Sequence, residues 1–274
     1  MENKKKGQRV QSVERALLLL EILSDVGKPV ALSELTEKAN LNISTVHRLL
    51  QTLMSHHFVE QDLNTGRYRL GLRVFEIGSS ALYNLDIREV AKPQLEWLVE
   101  KCNETANLAI LEQGELVYIQ QVESTHMMKM FARVGNRGPA YCTAAGKAIL
   151  AYMGEEELNN IIYKIEFIKF TDKTITDPEK LKEELVNIRN RGYSLDVEEM
   201  EEGVICMAFP VMNHEARVIA AVSVSGPVTR MTDKMLKDTI LRYLGETALR
   251  ISLNLGYKNI PIQKPVNVRQ GIAE

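Results

Sequence analysis

The segment ISTVHRLLQTLMS, residues 43–55, decides how the amino-terminal part of the chain is read. Ile43, Val46, Leu49, Leu50, Leu53 and Met54 fall on one stripe at helical spacing, and Ser44, Thr45, His47, Arg48, Gln51 and Ser55 fall on the other side. The polar side carries the chemistry. Hydroxyls at a helix start can hold phosphates, and Arg and Gln can read guanine and adenine edges in a major groove. Ser44, Thr45, Arg48 and Gln51 are the candidate readers, with His47 on the same face. From this helix alone, a polar face turned to water fits equally well.

Upstream, residues 32–39 predict a short helix opened by Ser33, supported by the Glu34/Lys38 spacing and stopped at Asn40-Leu41-Asn42, where Asn40 can take a left-handed turn. Before it, Val10, Val13, Ala16, Leu17, Leu20 and Leu23 repeat at helical spacing, with Ser12 placed to cap the start and Gly27 and Pro29 closing the segment. Two short helices, a tight turn and an exposed polar helix make a helix-turn-helix. Downstream, residues 58–61 and 67–70 alternate as strands around Asn64-Thr65-Gly66, a basic hairpin that carries Arg67 and Arg69. A helix-turn-helix followed at once by a basic hairpin points to duplex DNA.

The chain has 274 residues, enough for two domains with their own cores. Hydrophobic residues at 45% and charged residues at 26% describe a packed globular protein. No apolar run approaches the roughly 20 residues that cross a bilayer, and the basic start has no apolar signal core behind it, so no membrane partner and a cytoplasmic location are expected. Cys102, Cys142 and Cys206 form no CxxC pair and are expected as thiols. The net charge of −2 hides an asymmetry: residues 1–75 carry +3, including an arm of Lys4, Lys5, Lys6 and Arg9 able to reach a polyanion.

Residues 72–85 are compatible with a stiff connecting helix. Beyond them, helices are predicted at 87–105, 144–153, 155–163, 177–191 and 232–255, and strands at 108–111, 117–122, 127–133, 204–211 and 218–225, an α+β pattern with a mostly antiparallel sheet. Thr143 is placed to cap a helix, leaving the N–H groups of Ala144, Ala145 and Gly146 available to an anion. The two-residue strand period puts Ser223 and Ser225 on the same side as Ala221, and Val204, Cys206 and Ala208 on one side of the neighbouring strand. HExxH, GxSxG, GxGxxG and metal-spaced Cys/His clusters are missing from the sequence, so no catalytic residue, metal or cofactor is expected.

The segments VQSVERALLLLEIL, ISTVHRLLQTL and GRYRLGLRVFEIG, followed by RVGNRGPAYCTAAGKAILAY, RGYSLDVEEMEEGVICMAFPV and AAVSVSGPVTR, resemble the IclR family of bacterial transcription regulators, to about residue 256. The resemblance implies a winged helix-turn-helix DNA-binding domain (1–71), a linker helix (72–85), a GAF-like α+β effector-binding domain (86–257) and a tail (258–274). It implies binding to double-stranded operator DNA as a homodimer or a dimer of dimers. It places effector contacts at Ala144, Ala145, Asp196, Cys206, Ser223 and Ser225, with Met130, Gly138 and Val204 nearby. The implied effector is a small organic acid, and Gly138, where some relatives have a larger apolar residue, points to a sugar acid such as a 2-keto-3-deoxy-hexonate. Repression of a catabolic operon is the expected role; activation by the same fold is the alternative, and a small-molecule enzyme the lesser one.

Overall fold

The computed structural model describes residues 10–83, 86–130 and 133–258, with the side chains of 79–83 left aside. The basic arm with Arg9, and residues 259–274 of the tail, lie outside the described residues. Two compact units, Met1–Asn84 and Leu85–Glu274, divide the chain.

The first unit runs α1 (Gln11–Val26), α2 (Leu32–Ala39), α3 (Ile43–Ser55), β1 (Val59–Gln61), β2 (Tyr68–Leu70) and α4 (Leu72–Tyr83). Asn40 ends α2 in the left-handed region at φ 51°, and the next turn delivers Asn42, whose side chain accepts from the Thr45 N–H at 2.9 Å and caps α3. β1 and β2 pair antiparallel, and Val30 exchanges two 2.8 Å backbone hydrogen bonds with Tyr68, tying the entry of α2 to the hairpin. That tie corrects one expectation. Val30 and Ala31 are held extended, so α2 starts from Ala31, and Ser33 lies inside the helix instead of capping it. Ser12 likewise lies inside α1, whose N-cap position is Val10.

Leu19, Leu23, Leu35, Val46, Leu50 and Tyr68 are the buried centre of this unit. The stripe expected on α1 is split. Leu23 is buried, but the core face is completed by Leu19, while Val10, Val13 and Leu17 are exposed. Ile43, assigned to the apolar side of α3, is 57% exposed because it stands in the first turn, beyond the reach of the α2 contacts.

The second unit contains α5 (Ile87–Cys102), β3 (Thr105–Glu112), β4 (Glu115–Val122), β5 (Arg137–Pro139), α6 (Ala144–Leu150), α7 (Glu155–Lys164), α8 (Pro178–Arg191), β6 (Ser194–Val197), β7 (Val204–Met212) and β8 (Val218–Pro227). It closes with α9 (Asp233–Met235), a π-helical turn at Leu236–Ile240 and α10 (Leu241–Asn254). The sheet is antiparallel throughout, in the order β5-β4-β3-β8-β7-β6. One face packs on α5 and α10 through Leu95, Leu98, Leu108, Val222, Val224 and Ile251. The other receives α6 through small residues, Ala109, Ala208 and Ala221 against Ala144, Ala145 and Ala148. This is an α+β fold.

Three expectations are corrected here. α5 stops at Cys102 because Asn103 turns left-handed at φ 49° and its side-chain oxygen accepts from Thr125 N–H and Oγ1. The described part of 127–133 is not a strand: Met127 and Met128 face solvent, and the edge strand next to β4 forms at Arg137–Pro139. The strand Ser194–Val197 was not expected.

Close packing at the start of α6 depends on Gly146. A Cβ there would collide with the Ala140 backbone and sit 2.7 Å from Thr143 Oγ1. Gly146→Ala is therefore expected to destabilise the second unit by about 1–3 kcal/mol, read as a lowered urea midpoint; an unchanged midpoint would show that the helix start is loosely packed.

Candidate functional site

Two surfaces carry the polar chemistry. On α3, Val46 and Leu50 are buried, whereas Ser44, His47, Arg48 and Gln51 are exposed and Thr45 is half-buried. Ser44 Oγ donates to the capping Asn42 side chain at 2.9 Å, so its hydroxyl is already oriented. Arg48 makes no ion pair among the described residues. In the hairpin, Asp62 Oδ1 accepts from the N–H groups of Asn64 and Thr65 and from Thr65 Oγ1, and the hydrogen bonds from Thr65 hold its carboxyl below the usual range. Arg67 Nη1 reaches the Pro29 carbonyl at 3.3 Å, and Arg69 is paired across the hairpin with Glu60 at 2.9 Å. Of the two hairpin arginines, Arg67 has no acidic partner among the described residues.

The second surface is the sheet face beneath α6. Directly opposed residues on neighbouring strands project to the same side, so register builds rows. Asp196 (β6), Cys206 (β7), Ser225 (β8) and Thr105 (β3) form one row. Two residues along lies a second, Ser194, Ala208, Ser223, Asn107 and, on β4, Gln121. Apart from Cys206, Ala208 and Gln121, the members of both rows are buried polar residues. α6 is pinned over them by Ser194 Oγ, which donates to the Ala144 carbonyl at 2.7 Å.

The residues expected around an effector converge on this face. Ala144 and Ala145 begin the covering helix, and Thr143 caps it. The Thr143 hydroxyl accepts from the Gly146 N–H at 3.3 Å, so of the three N–H groups expected to be available, that of Gly146 is taken. Val204 shares a side of β7 with Cys206, and the Met130 carbonyl accepts from Thr105 Oγ1 at 3.5 Å at the far end of the first row. Gly138 pairs with Leu116, and a Cβ there would meet only Thr143 Cγ2 at 3.8 Å, so the backbone leaves room at the helix cap.

Sequence reasoning missed Thr105, Asn107, Tyr118 and Gln121, because β3 and β4 were read for hydrophobicity alone. It also missed a buried charge pair. Lys147 of α6 is 1% exposed and is ion-paired with Glu199 of the β6–β7 connection. The signal was a lysine among the small residues of α6, which requires a counter-charge once that helix is buried. Glu199 N–H donates to Asp196 Oδ1 at 2.8 Å, and Glu199 Oε2 has no partner among the described residues. Burial pushes the Asp196 carboxyl up to about 6 and that of Glu199 up to about 7, the latter against the opposing pull of Lys147. Burial, with Asp196 and Glu199 nearby, pushes the Cys142 thiol up to about 12. Burial also raises Cys206 and Tyr118, and Asp196 adds to both shifts.

A groove of about 1830 Å³ opens elsewhere, lined by α7 and by the β3–β4 and β7–β8 turns; it includes Gly138 but none of Asp196, Cys206, Ser223 or Ser225. Its wide mouth leaves charged groups in water, where they discriminate poorly; the row beneath α6 holds its polar groups out of water, where unmatched hydrogen bonds count fully.

One unit presents an exposed polar helix and the other holds rows of buried polar groups beneath α6. The family model described as IclR helix-turn-helix domain matches residues 12–63, and that described as Bacterial transcriptional regulator IclR C-terminal matches 79–253. The chain belongs to the IclR family. It is similar to the HTH-type transcriptional regulator XynR of Escherichia coli K12, 38% identical over 248 residues, which cover 90% of this chain and 98% of that protein. It is 39% identical over 227 residues to the Transcriptional repressor IclR of the same organism, covering 82% and 83%. A crystal structure of a putative IclR regulator from Silicibacter sp. TM1040 superposes with a TM-score of 0.80 at 27% identity, covering 91% of this chain and 98% of that one. IclR-family helix-turn-helix regulators bind operator DNA and small-molecule effectors, so this chain is a transcriptional regulator and not an enzyme. Among the described residues no helix is long and apolar enough to cross a membrane.

The raised carboxyls set a sign for pH dependence. The folded protein keeps protons on Asp196 and Glu199 that the unfolded chain releases above pH about 4, so their contribution is fully present below that pH and is lost as pH rises through about 6 and 7. Asp196→Asn is expected to gain on the wild type by about 1–3 kcal/mol between about pH 4.5 and 7.5. Thermal unfolding of both proteins at the two pH values checks this; an equal difference at both would contradict it.

Proposed function

We propose that this IclR-family regulator is a cytoplasmic repressor of a catabolic operon that responds to a small organic acid of the keto-acid or sugar-acid type. The observation that carries the effector reading is the buried row Asp196–Cys206–Ser225–Thr105 with Ser223 alongside, polar groups that an apolar core has no use for. The contact residues in this reading are Ala144, Ala145, Asp196, Cys206, Ser223 and Ser225, with Met130, Gly138 and Val204 at the margin. Repression is supported by the 39% identical relative named as a repressor.

On the operator, Arg48 and Gln51 read bases, Ser44 and Thr45 hold phosphates, and His47, Arg67 and the arm with Arg9 add backbone contacts. One α3 reads a half-site, so the active species is a homodimer or dimer of dimers, with reading helices about 34 Å apart or a multiple of it. The exposed apolar residues Val10, Val13 and Leu17 of α1, and Leu72 and Phe75 of α4, support such an assembly. Effector and operator are coupled to the extent that the effector binds the released and bound states unequally.

Gel shifts with the chain's own upstream region test the DNA half. Arg48→Ala and Gln51→Ala are each expected to lose about 1–3 kcal/mol of discrimination against altered operators, whereas Lys5→Ala weakens every sequence alike and flattens the salt dependence. Binding that ignores salt, or equal effects of all three, would defeat this assignment. Calorimetry with a panel of keto and sugar acids tests the pocket: the double variant Ser223→Ala, Ser225→Ala should lose the heat of binding, and an undiminished titration moves the effector elsewhere.

A further inference from the structure

Asn107 on β3 is 1% exposed and stands opposite Ser223 on one side and Gln121 on the other. Gln121 Nε2 donates to Asn107 Oδ1 at 2.9 Å, which fixes the Asn107 amide plane. That bond uses one side of each amide. Asn107 Nδ2 and Gln121 Oε1 have no partner among the described residues, and neither has the hydroxyl of Ser223, which is 3% exposed. Neither Asn107 Nδ2 nor Ser223 Oγ is among the fully sealed side-chain atoms without a partner, which among the described residues are Glu199 Oε2 and Thr247 Oγ1, so both stay open to a partner of matching chemistry. Thr105, two residues away on the same side, differs: its hydroxyl accepts from Ser124 N–H and donates to the Met130 carbonyl.

Asn107 is remote from the acidic end of the pocket. Asp196 lies on β6, and β7 and β8 intervene before β3, which at roughly 4.8 Å per strand puts about 14 Å between the two backbone positions. A two- or three-carbon keto acid held at Asp196 and Cys206 leaves the amide pair unused. Asn107 offers a donor and Gln121 an acceptor side by side. A hydroxyl, which accepts and donates, matches both; a carboxylate accepts only, and an alkyl chain does neither.

Resting on the reading of this face as the effector pocket, we infer that Asn107, braced by Gln121, is a specificity-determining residue that reads a hydroxyl at the distal end of the effector. The ligand class is accordingly a polyhydroxylated chain acid, with a site length beyond that of pyruvate.

Calorimetry of the full-length protein with gluconate, hexanoate and pyruvate tests this. The wild type is expected to bind gluconate at least about 30-fold more tightly than hexanoate, since sites built to bond a hydroxyl reject analogues lacking it. Asn107→Leu should compress that ratio to less than about three-fold while leaving operator affinity intact. Gln121→Leu, at a half-buried edge position, removes the brace and should compress the ratio in the same direction; it keeps the test open should Asn107→Leu fail to fold. A wild type that prefers pyruvate or hexanoate, or variants that keep the wild-type ratio, overturn the role of Asn107 and leave the pocket standing. Binding of none of the three acids overturns the organic-acid reading itself, and this inference with it.

Discussion

Ser225 of β8 stands opposite Cys206 on one side and Thr105 on the other, and this register is set from the far face of the sheet. Val222 and Val224 alternate with the serines and pack with Leu108 against Leu95, Leu98 and Ile251. A slip of one residue would turn both valines toward α6 and drive Ser223 and Ser225 into the apolar layer, because the side-chain period of a strand is two. Each aliphatic side chain so misplaced would forfeit about 1.5–3 kcal/mol of burial, and each hydroxyl would be buried among hydrocarbon. The apolar layer beneath α5 and α10 thus selects the polar face, and through it the position of every group in the pocket.

The covering layer works differently. α6 approaches the sheet through alanines and Gly146, so its backbone comes close to the rows while its side chains fill little space. The same burial takes Lys147 out of water, and Glu199 compensates it. Such a pair is weak support for stability, since both ions lose hydration, yet removing either partner strands the other. Glu199 is in turn held from outside, its carbonyl accepting from Thr174 Oγ1 at 2.7 Å and its N–H engaged by Asp196. Asp196 and the Lys147 ammonium of α6 are therefore linked through Glu199.

Much of this architecture was legible in the sequence, for reasons that differ by element. The helix-turn-helix followed from the stripe of residues 43–55 and from Asn40, since helical periodicity and turn chemistry are local. Thr143 as a helix cap was likewise local, and the shared side of Ser223 and Ser225 needed only the period of a strand. Partners across the sheet are not local. Nothing along the chain says that residue 107 faces 223 and 121, or that Lys147 meets Glu199 fifty-two residues on. Capping by Ser12 and Ser33 failed because a tertiary tie, Val30 to Tyr68, determines where α2 begins, and because α1 starts two residues earlier, at Gln11. The apolar pattern of α1 was misassigned for a physical reason: the helix has two apolar faces, and sequence spacing alone does not tell the core face from the exposed one.

The electrostatics of the first unit bear on how an operator is chosen. Residues 10–84 carry seven Lys/Arg and eight Asp/Glu, so without the arm the unit has a net charge of −1 and its general attraction to DNA is small. The charges are segregated. Glu14, Glu21, Asp25, Glu34 and Glu37 lie on α1 and α2, while α3 contains no acid, Glu60 is consumed by Arg69 and Asp62 by its own turn. Arg48 and Arg67 are left as the cations of the reading side. With so little net charge the unit gains little from the phosphate backbone at large.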